Sequence, residues 1–326
     1  MKKNNKIGLE EFELIRWIQQ QAGSSSHLSQ GIGDDCSIHP QQEGEDLLTS
    51  TDLFIEGIHF QRQWSSWFDL GRKAAAVNIS DIAAMGGTPQ SLFLGIGRPK
   101  EMSDGEIEEF ISGFLAEVKI HGAILAGGDT CLSPGSLLIS VTVQGTVATA
   151  EAICRDGASY GDAIYVSGTL GDSALALHLL QSEQQPDNYL AGRFHTPSPQ
   201  VTLGQELSRR QLATAMLDIS DGLLADLGHI LQASGVGAEL DLSEIPLSRS
   251  FQKAVSGDST LIDLALAGGE DYELVFTSPL KDLDTQIDTD CKVTKIGIIN
   301  PEAGLRIRQA DGEPYHCKRG GFDHFA

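Results

Sequence analysis

Carboxylates at the ends of apolar runs are the residues of this chain best placed to do chemistry. Such runs deliver Asp52 in "LLTSTD", Asp129 in "AILAGGD", Asp218 in "AMLD", and Glu270 with Asp271 in "LALAGGED". Strand ends and their glycine loops are where α/β proteins place ligands. Aspartate at these points also serves as a helix N-cap or turn residue, so one alone would carry little. The repeated setting points to a site. Asp81 adds a different signal. The stripe Leu70, Ala74, Val77, Asp81, Ala84 advances by four, three, four and three residues, which places Asp81 on the apolar face of a helix. A buried, unpaired carboxylate costs several kcal/mol or takes up a proton. Asp81 therefore needs Lys73 or Arg72 as a partner, or a bound cation.

Residues 31–35, "GIGDD", raise the same question. Gly31 and Gly33 resemble a phosphate-cradling loop, but they lead into Asp34 and Asp35 instead of a lysine, and no G-x-x-x-x-G-K-[ST] motif occurs. Two carboxylates about 4 Å apart repel by roughly 4 kcal/mol at an effective dielectric of about 20. Several together are stable only around cations. Oxygen ligands of this kind select Mg²⁺, Mn²⁺ or Ca²⁺ over zinc, and Mg²⁺ brings phosphates with it. The glycines then let backbone approach the phosphates, while metal supplies the positive charge.

Other chemistries fit poorly. Cys36 and His39 stand near each other in "GIGDDCSIHP" without a third orienting group. There is no G-x-S-x-G or H-E-x-x-H motif, and "DISDG" lacks the later ligands of a calcium loop. The formal net charge of −22 argues against nucleic acid and against an anionic membrane surface. The five cysteines form no C-x-x-C pair, which fits free thiols in a reducing cytoplasm. No apolar run reaches the ~18 residues of a membrane span, and the basic start "MKKNNK" has no apolar region behind it.

The elements that must position these acids alternate between strand and helix, which indicates an α/β (α+β) class. Residues 9–22 read as an amphipathic helix with Leu9, Phe12, Ile15 and Ile18 on one stripe. "LLTST" reads as a strand ending at Asp52, residues 69–85 as a helix, and "SLFLGIG" as a buried strand. Ser103 and Glu106 form a capping box before a helix whose apolar face is Ile107, Phe110, Ile111, Phe114, Leu115 and Val118. "AILAGGDT" reads as a strand ending in a glycine turn, and "SLLISVTVQGTV" as a longer strand. Turn-rich "RDGASYGD" marks a boundary within 146–160, so domains are expected at 1–148 and 149–326. The second half offers strands at "AIYVSG", "AELDL", "YELVFT" and "KVTKIGII", and helices at "GDSALALHLLQ" and "DGLLADLGHILQAS". Residues 182–200 read as an exposed excursion.

With these residues in place, the chain resembles the thiamine-monophosphate kinases of the aminoimidazole-ribonucleotide synthetase-like superfamily. The resemblance is carried by "GIGDD" (31–35), "STDLFIEGIHF" (50–60), "KAAAVNISDIAAMGGTP" (73–89), "LAGGDT" (125–130), "RDGASYGDAIYVSGTLGDSA" (155–174), "LDISDGLLADLGHI" (217–230), "AGGEDYEL" (267–274) and "GFDHF" (321–325). It implies a two-domain PurM-like fold in which two N-terminal domains pair into a dimer β-barrel and a C-terminal α/β domain completes the site. It implies transfer of the γ-phosphate of ATP to thiamine monophosphate, giving thiamine diphosphate, with several Mg²⁺ ions. Matching positions make Asp35, Ser50, Thr51, Asp52, Asp81, Asp129, Asp218 and Asp221 metal ligands. Gly128, Asp129, Arg155 and Ser220 would contact ATP, and His59, Glu270 and Phe322 thiamine monophosphate. The acceptor is a phosphate oxygen that is already anionic, so no general base is expected and no catalytic side chain is assigned. Two other readings stand beside this one: a non-catalytic Mg²⁺- and nucleotide-binding dimer, and another ATP-using member of the superfamily. Selenophosphate synthetase-like and hydrogenase-maturation members need a reactive cysteine near the start or at the end. Here Cys36 follows the aspartates and the tail is "DHFA".

Overall fold

The structure is a computed structural model that describes residues 11–23, 43–287 and 289–319, with all their side chains except those of residues 11–16 and 284. "GIGDD" with Asp35, and Phe322 near the C-terminus, lie outside the described residues, as do the side chains of Phe12 and Ile15. The chain divides into two compact units. One holds the residues up to Ile79 with Pro89–Thr146, the other Ser80–Thr88 with those from Val147 onward.

The first unit contains α1 (Glu11–Ala22), β1 (Glu45–Ile55), most of α2 (Trp67–Ala84), β2 (Thr88–Pro99), α3 (Asp104–Ile120), β3 (Ile124–Ser133) and β4 (Leu138–Ala148). Its sheet has the order β1-β4-β2-β3, so β1 and β3 are the two edges. The capping box on α3 is present: Ser103 accepts from the Glu106 N–H, and the Glu106 carboxylate accepts from the Ser103 N–H at 2.7 Å. The expected apolar face of α3 is buried, with Leu115 half-buried. Helices α2 and α3 pack backbone against backbone. A side chain at Gly71 would run into the Phe110 carbonyl, and one at Gly113 into the Phe68 carbonyl.

Two strands differ from their sequence reading. β1 runs past Asp52 to Ile55, and β3 runs through its glycines and Asp129 to Ser133. Both are edge strands, whose exposed positions tolerate a charge in mid-strand. The glycines of β3 permit close approach where a turn was expected.

The second unit contains β5 (Ala163–Ser167), α4 (Asp172–Gln181), α5 (Asn188–His195), α6 (Val201–Arg209), β6 (Ala215–Asp218), α7 (Leu223–Ser234), β7 (Gly237–Asp241), α8 (Arg249–Gly257), α9 (Ile262–Ala267), β8 (Leu274–Ser278), β9 (Val293–Asn300) and β10 (Gly304–Arg308). Its sheet has the order β10-β7-β9-β5-β8-β6, antiparallel except for the β10–β7 pair. β5, β6 and β8 are buried along their whole length, as strands covered on both faces must be. Tyr165 and Phe276 stack at 5.5 Å within a cluster that includes Leu203, Leu207 and Met216.

Residues 182–200 correct an expectation. Residues 182–189 are exposed as expected, Pro186 being half-buried, but most of the rest is not: α5 is capped by Asp187, whose carboxylate accepts from Tyr189 and Leu190 N–H groups, and it buries Leu190 and Phe194. Its polar composition hides a helix because only one face of two turns is apolar. Among the described residues no helix is long and apolar enough to cross a membrane.

Candidate active site

In the first unit the expected ligands occupy the two sheet edges. Ser50, Thr51 and Asp52 lie in β1, Ser50 half-buried and the other two exposed. The Thr51 hydroxyl donates to the Val141 carbonyl at 3.1 Å and lies 2.9 Å from the Thr142 hydroxyl, which fastens β1 to β4. Beyond β1 the chain turns back on itself. His59 Nδ1 accepts the Ile55 N–H at 3.0 Å, so the neutral ring carries its proton on Nε2. Glu56 braces that turn through an ion pair with Arg62 and by accepting the Leu137 N–H at 2.9 Å. The hydrogen bond from Arg62 holds its carboxyl below the ordinary range, against the opposing effect of burial.

Asp129 lies in β3, in register with Gly95 of β2. Its Oδ1 accepts the Thr130 N–H at 2.9 Å. At Gly128 the strands come so close that any side chain would strike the Leu94 carbonyl, so glycine is required beside Asp129. β4 and β2 stand between β1 and β3. Asp52 and Asp129 of one chain are therefore three strand spacings apart, about 14 Å along the sheet.

In the second unit β6 delivers Asp218, which is 4% exposed. Its Oδ2 accepts the Ser80 hydroxyl at 2.6 Å, which brings the last turn of α2, with Asp81, against the end of β6. Asp81 is half-buried between buried Ser80 and Ile82. Arg72, one of its two possible cationic partners, pairs instead with Glu117 at 2.7 Å. The chain then passes Ser220 and Asp221 into α7, and Asp226 in the first turn folds back over that loop. Its Oδ2 accepts the N–H groups of Asp221 at 3.1 Å and Gly222 at 3.0 Å. Burial and the neighbouring Asp221 charge push the Asp226 carboxyl up to about 7.

A second loop, residues 268–273, zips onto the first. The Glu270 N–H donates to the Ser220 carbonyl at 2.8 Å, Tyr272 to Ile219 at 2.9 Å, and Ile219 to Glu273 at 2.7 Å. Ser220, Asp221 and Glu270 are thus brought together. Glu270 and Tyr272 have φ of 67° and 50°, left-handed values that cost a side-chain-bearing residue energy. Against this loop lies a buried charge cluster. Asp271 Oδ2 accepts the Gly171 N–H at 2.7 Å, and Glu273 pairs with Arg193 of α5 at 2.8 Å and accepts from the Ser167 hydroxyl. Burial pushes the Asp271 carboxyl up to about 8, against the pull of Arg193 and Gly171, and it raises Glu273 as well.

Arg155 is exposed, and its carbonyl accepts from the Ser234 hydroxyl at 3.0 Å. Sequence reasoning did not reach Glu56, Asp226, Glu273 or Arg193. The crowding of three acids into "GEDYE" was a signal for the cluster. No local pattern pairs that stretch with an arginine about eighty residues earlier.

Among the described residues, no three His, Cys, Asp or Glu converge closely enough to hold a metal ion by themselves. The donors present still suit one particular ion. They are carboxylate and hydroxyl oxygens in small groups, and Mg²⁺ typically takes one or two carboxylates and completes its shell with water and substrate phosphates.

Residues 33–147 match the family model of the AIR synthase related protein, N-terminal domain, and residues 159–308 that of the AIR synthase related protein, C-terminal domain. The thiamine-monophosphate kinase of Salmonella typhimurium is 39% identical over 327 residues, spanning 97% of this chain and 98% of its own. Among solved structures, the thiamine-monophosphate kinase from Stenotrophomonas maltophilia K279a is 39% identical, with a TM-score of 0.84 over 94% of this chain and 98% of that one. "AaThiL complexed with AMPPCP and TMP" is 31% identical, with a TM-score of 0.77 over 100% of this chain and 99% of that one.

Proposed function

The chain belongs to the thiamine-monophosphate kinases of the AIR synthase related family, and on that premise we propose that it works as they do. It is an enzyme that uses ATP to phosphorylate thiamine monophosphate to thiamine diphosphate. The end-to-end likeness to these kinases carries the reading, and the related structure holding AMPPCP and TMP supports both ligands.

The acceptor oxygen is anionic at neutral pH, so the chain need not remove a proton from it, and no side chain is assigned as a base. The difficulty is to bring two polyanions into line. Mg²⁺ bound here would neutralise the phosphates and align attacker and leaving group. In this reading Asp35, Ser50, Thr51, Asp52, Asp81, Asp129, Asp218 and Asp221 hold Mg²⁺. Gly128, Asp129, Arg155 and Ser220 meet ATP, and His59, Glu270 and Phe322 meet thiamine monophosphate. The Ser80–Asp218 bond supports a shared role for Asp81 and Asp218.

The working form is a homodimer in the cytoplasm. The sheet order supports the dimer: if β1 of one protomer pairs with β3 of its partner, Asp52 and Asp129 come from opposite edges to one place. Exposed Leu47 and Leu53 on β1 and Leu132 on β3 supply apolar surface for that closure.

Incubation with ATP, Mg²⁺ and thiamine monophosphate should give thiamine diphosphate and ADP in equal amounts. Asp81→Asn should lower turnover by about 10³-fold or more while the fold is kept. ATP binding without product would favour a nucleotide-binding protein instead, and an active Asp81→Asn variant would remove Asp81 from the metal site.

A further inference from the structure

The charge cluster beneath the 268–273 loop has a feature that burial alone does not explain. Arg193 reaches out of α5 and spends one nitrogen on two partners. Its Nη2 donates to the Asp271 carbonyl at 3.1 Å and pairs with Glu273 Oε1 at 2.8 Å. These partners flank Tyr272, the second of the two left-handed residues of the loop. Left-handed backbone at residues other than glycine persists only where the surroundings over-determine it. On one side the loop is held by backbone bonds to Ile219 and Ser220. On the other it is held by Gly171, through the Asp271 carboxylate, and by Arg193. Arg193 is the member of this set whose side chain grips both the main chain of the turn, at Asp271, and Glu273, the last residue before β8.

The cluster is also costly. Asp271 Oδ1 and Arg193 Nε are buried without a hydrogen-bond partner. A buried ion pair is a weak source of stability compared with apolar packing, and its best-attested use is to fix one arrangement against alternatives. Gly168 belongs to the same design, since a side chain there would run into the Glu273 carboxylate.

We propose that Arg193 is a positioning residue for the phosphate acceptor: it clamps the 270–272 turn in its left-handed form and so sets where Glu270 meets thiamine monophosphate. This rests on the reading of Glu270 as a thiamine monophosphate contact. Helix α5 is then part of the substrate apparatus, although Arg193 itself touches no reacting atom.

The test is calorimetric, on the full chain with Mg²⁺: the Kd of AMPPCP, then the Kd of thiamine monophosphate with AMPPCP bound. Arg193→Gln should weaken thiamine monophosphate by about tenfold or more and leave AMPPCP within about twofold. Glu270→Ala should weaken the same ligand, and the double variant should be no weaker than Glu270→Ala, because one residue acts through the other. Arg193→Lys keeps the charge without the planar fork and should give a smaller loss, about threefold, with AMPPCP again unaffected. That variant decides the matter should Arg193→Gln not fold. Unchanged thiamine monophosphate binding in the Arg193 variants, equal weakening of both ligands, or additive losses would overturn the clamp while Glu270→Ala still shows its effect. Glu270→Ala binding like the wild type would overturn the Glu270 contact, and the clamp with it.

Discussion

Asp271 and Glu117 are both buried carboxylates, and they respond to pH in opposite directions. Burial would raise Glu117, but hydrogen bonds from His121 and Arg72 outweigh it and hold its carboxyl below the ordinary range. Glu117 therefore stabilises the fold above the pKa of the unfolded chain, and that contribution is lost as acid protonates it. Asp271 is the reverse case. Burial dominates and raises its carboxyl to about 8, from 3.8 for an ordinary aspartate. The folded state keeps a proton that the unfolded chain releases, so its contribution is full below pH 3.8 and is lost as pH rises through about 8. Between pH 5 and 8, urea unfolding should show the wild type losing stability more steeply than Asp271→Asn, by up to about 1.4 kcal/mol per pH unit. Parallel curves for the two proteins would mean that Asp271 ionises normally. The Asn side chain keeps an acceptor for the Gly171 N–H, so the comparison isolates the proton.

Elements were legible where the pattern is long. The apolar face of α3, the apolar stripe of α2 and the alternation of β4 each repeat over several turns or pleats, and each is present in the fold. Short strands were legible at β5, β7 and β8, but several other short elements were not. α6, α8, α9 and β10 span nine residues or fewer, too little for a period to stand out. α5 shows the same limit with a functional consequence, because its polar residues read as loop and its two buried side chains decide otherwise. Phe194→Ala should cost about 3–5 kcal/mol in urea unfolding, the usual loss for truncating a core aromatic. A surface excursion would lose less than about 0.5 kcal/mol, and such a result would contradict the packing of α5. The strand boundaries at Asp52 and Asp129 were missed for another reason. A carboxylate ends a strand in the sheet interior, but not on an exposed edge, and a sequence does not say which strands are edges.

At the scale of the molecule, the proposed dimer gives a direct test of the two edges. Sedimentation should find the wild type dimeric. Leu132→Lys, which sets a charge on the exposed edge β3, should shift it toward monomer and lower thiamine diphosphate formation in parallel. A fully active wild-type monomer would show instead that one chain completes the site. The sequence by itself determined the family: the quoted motifs place the chain among ATP-using kinases, and acidic residues repeated beside glycines, with no phosphate-binding lysine, are the ground for the proposal that Mg²⁺ supplies the positive charge. Residue type and local spacing suffice for that, because charge and backbone freedom are local properties. Only the tertiary structure decided that Asp52 and Asp129 stand on opposite edges of one sheet, that Ser80 ties Asp81 to Asp218, and that Arg193 braces the Glu270 loop. These pairings join residues from tens to well over a hundred positions apart. Their partners are chosen by strand order and by the need to satisfy buried charge, and neither leaves a periodic trace in the chain.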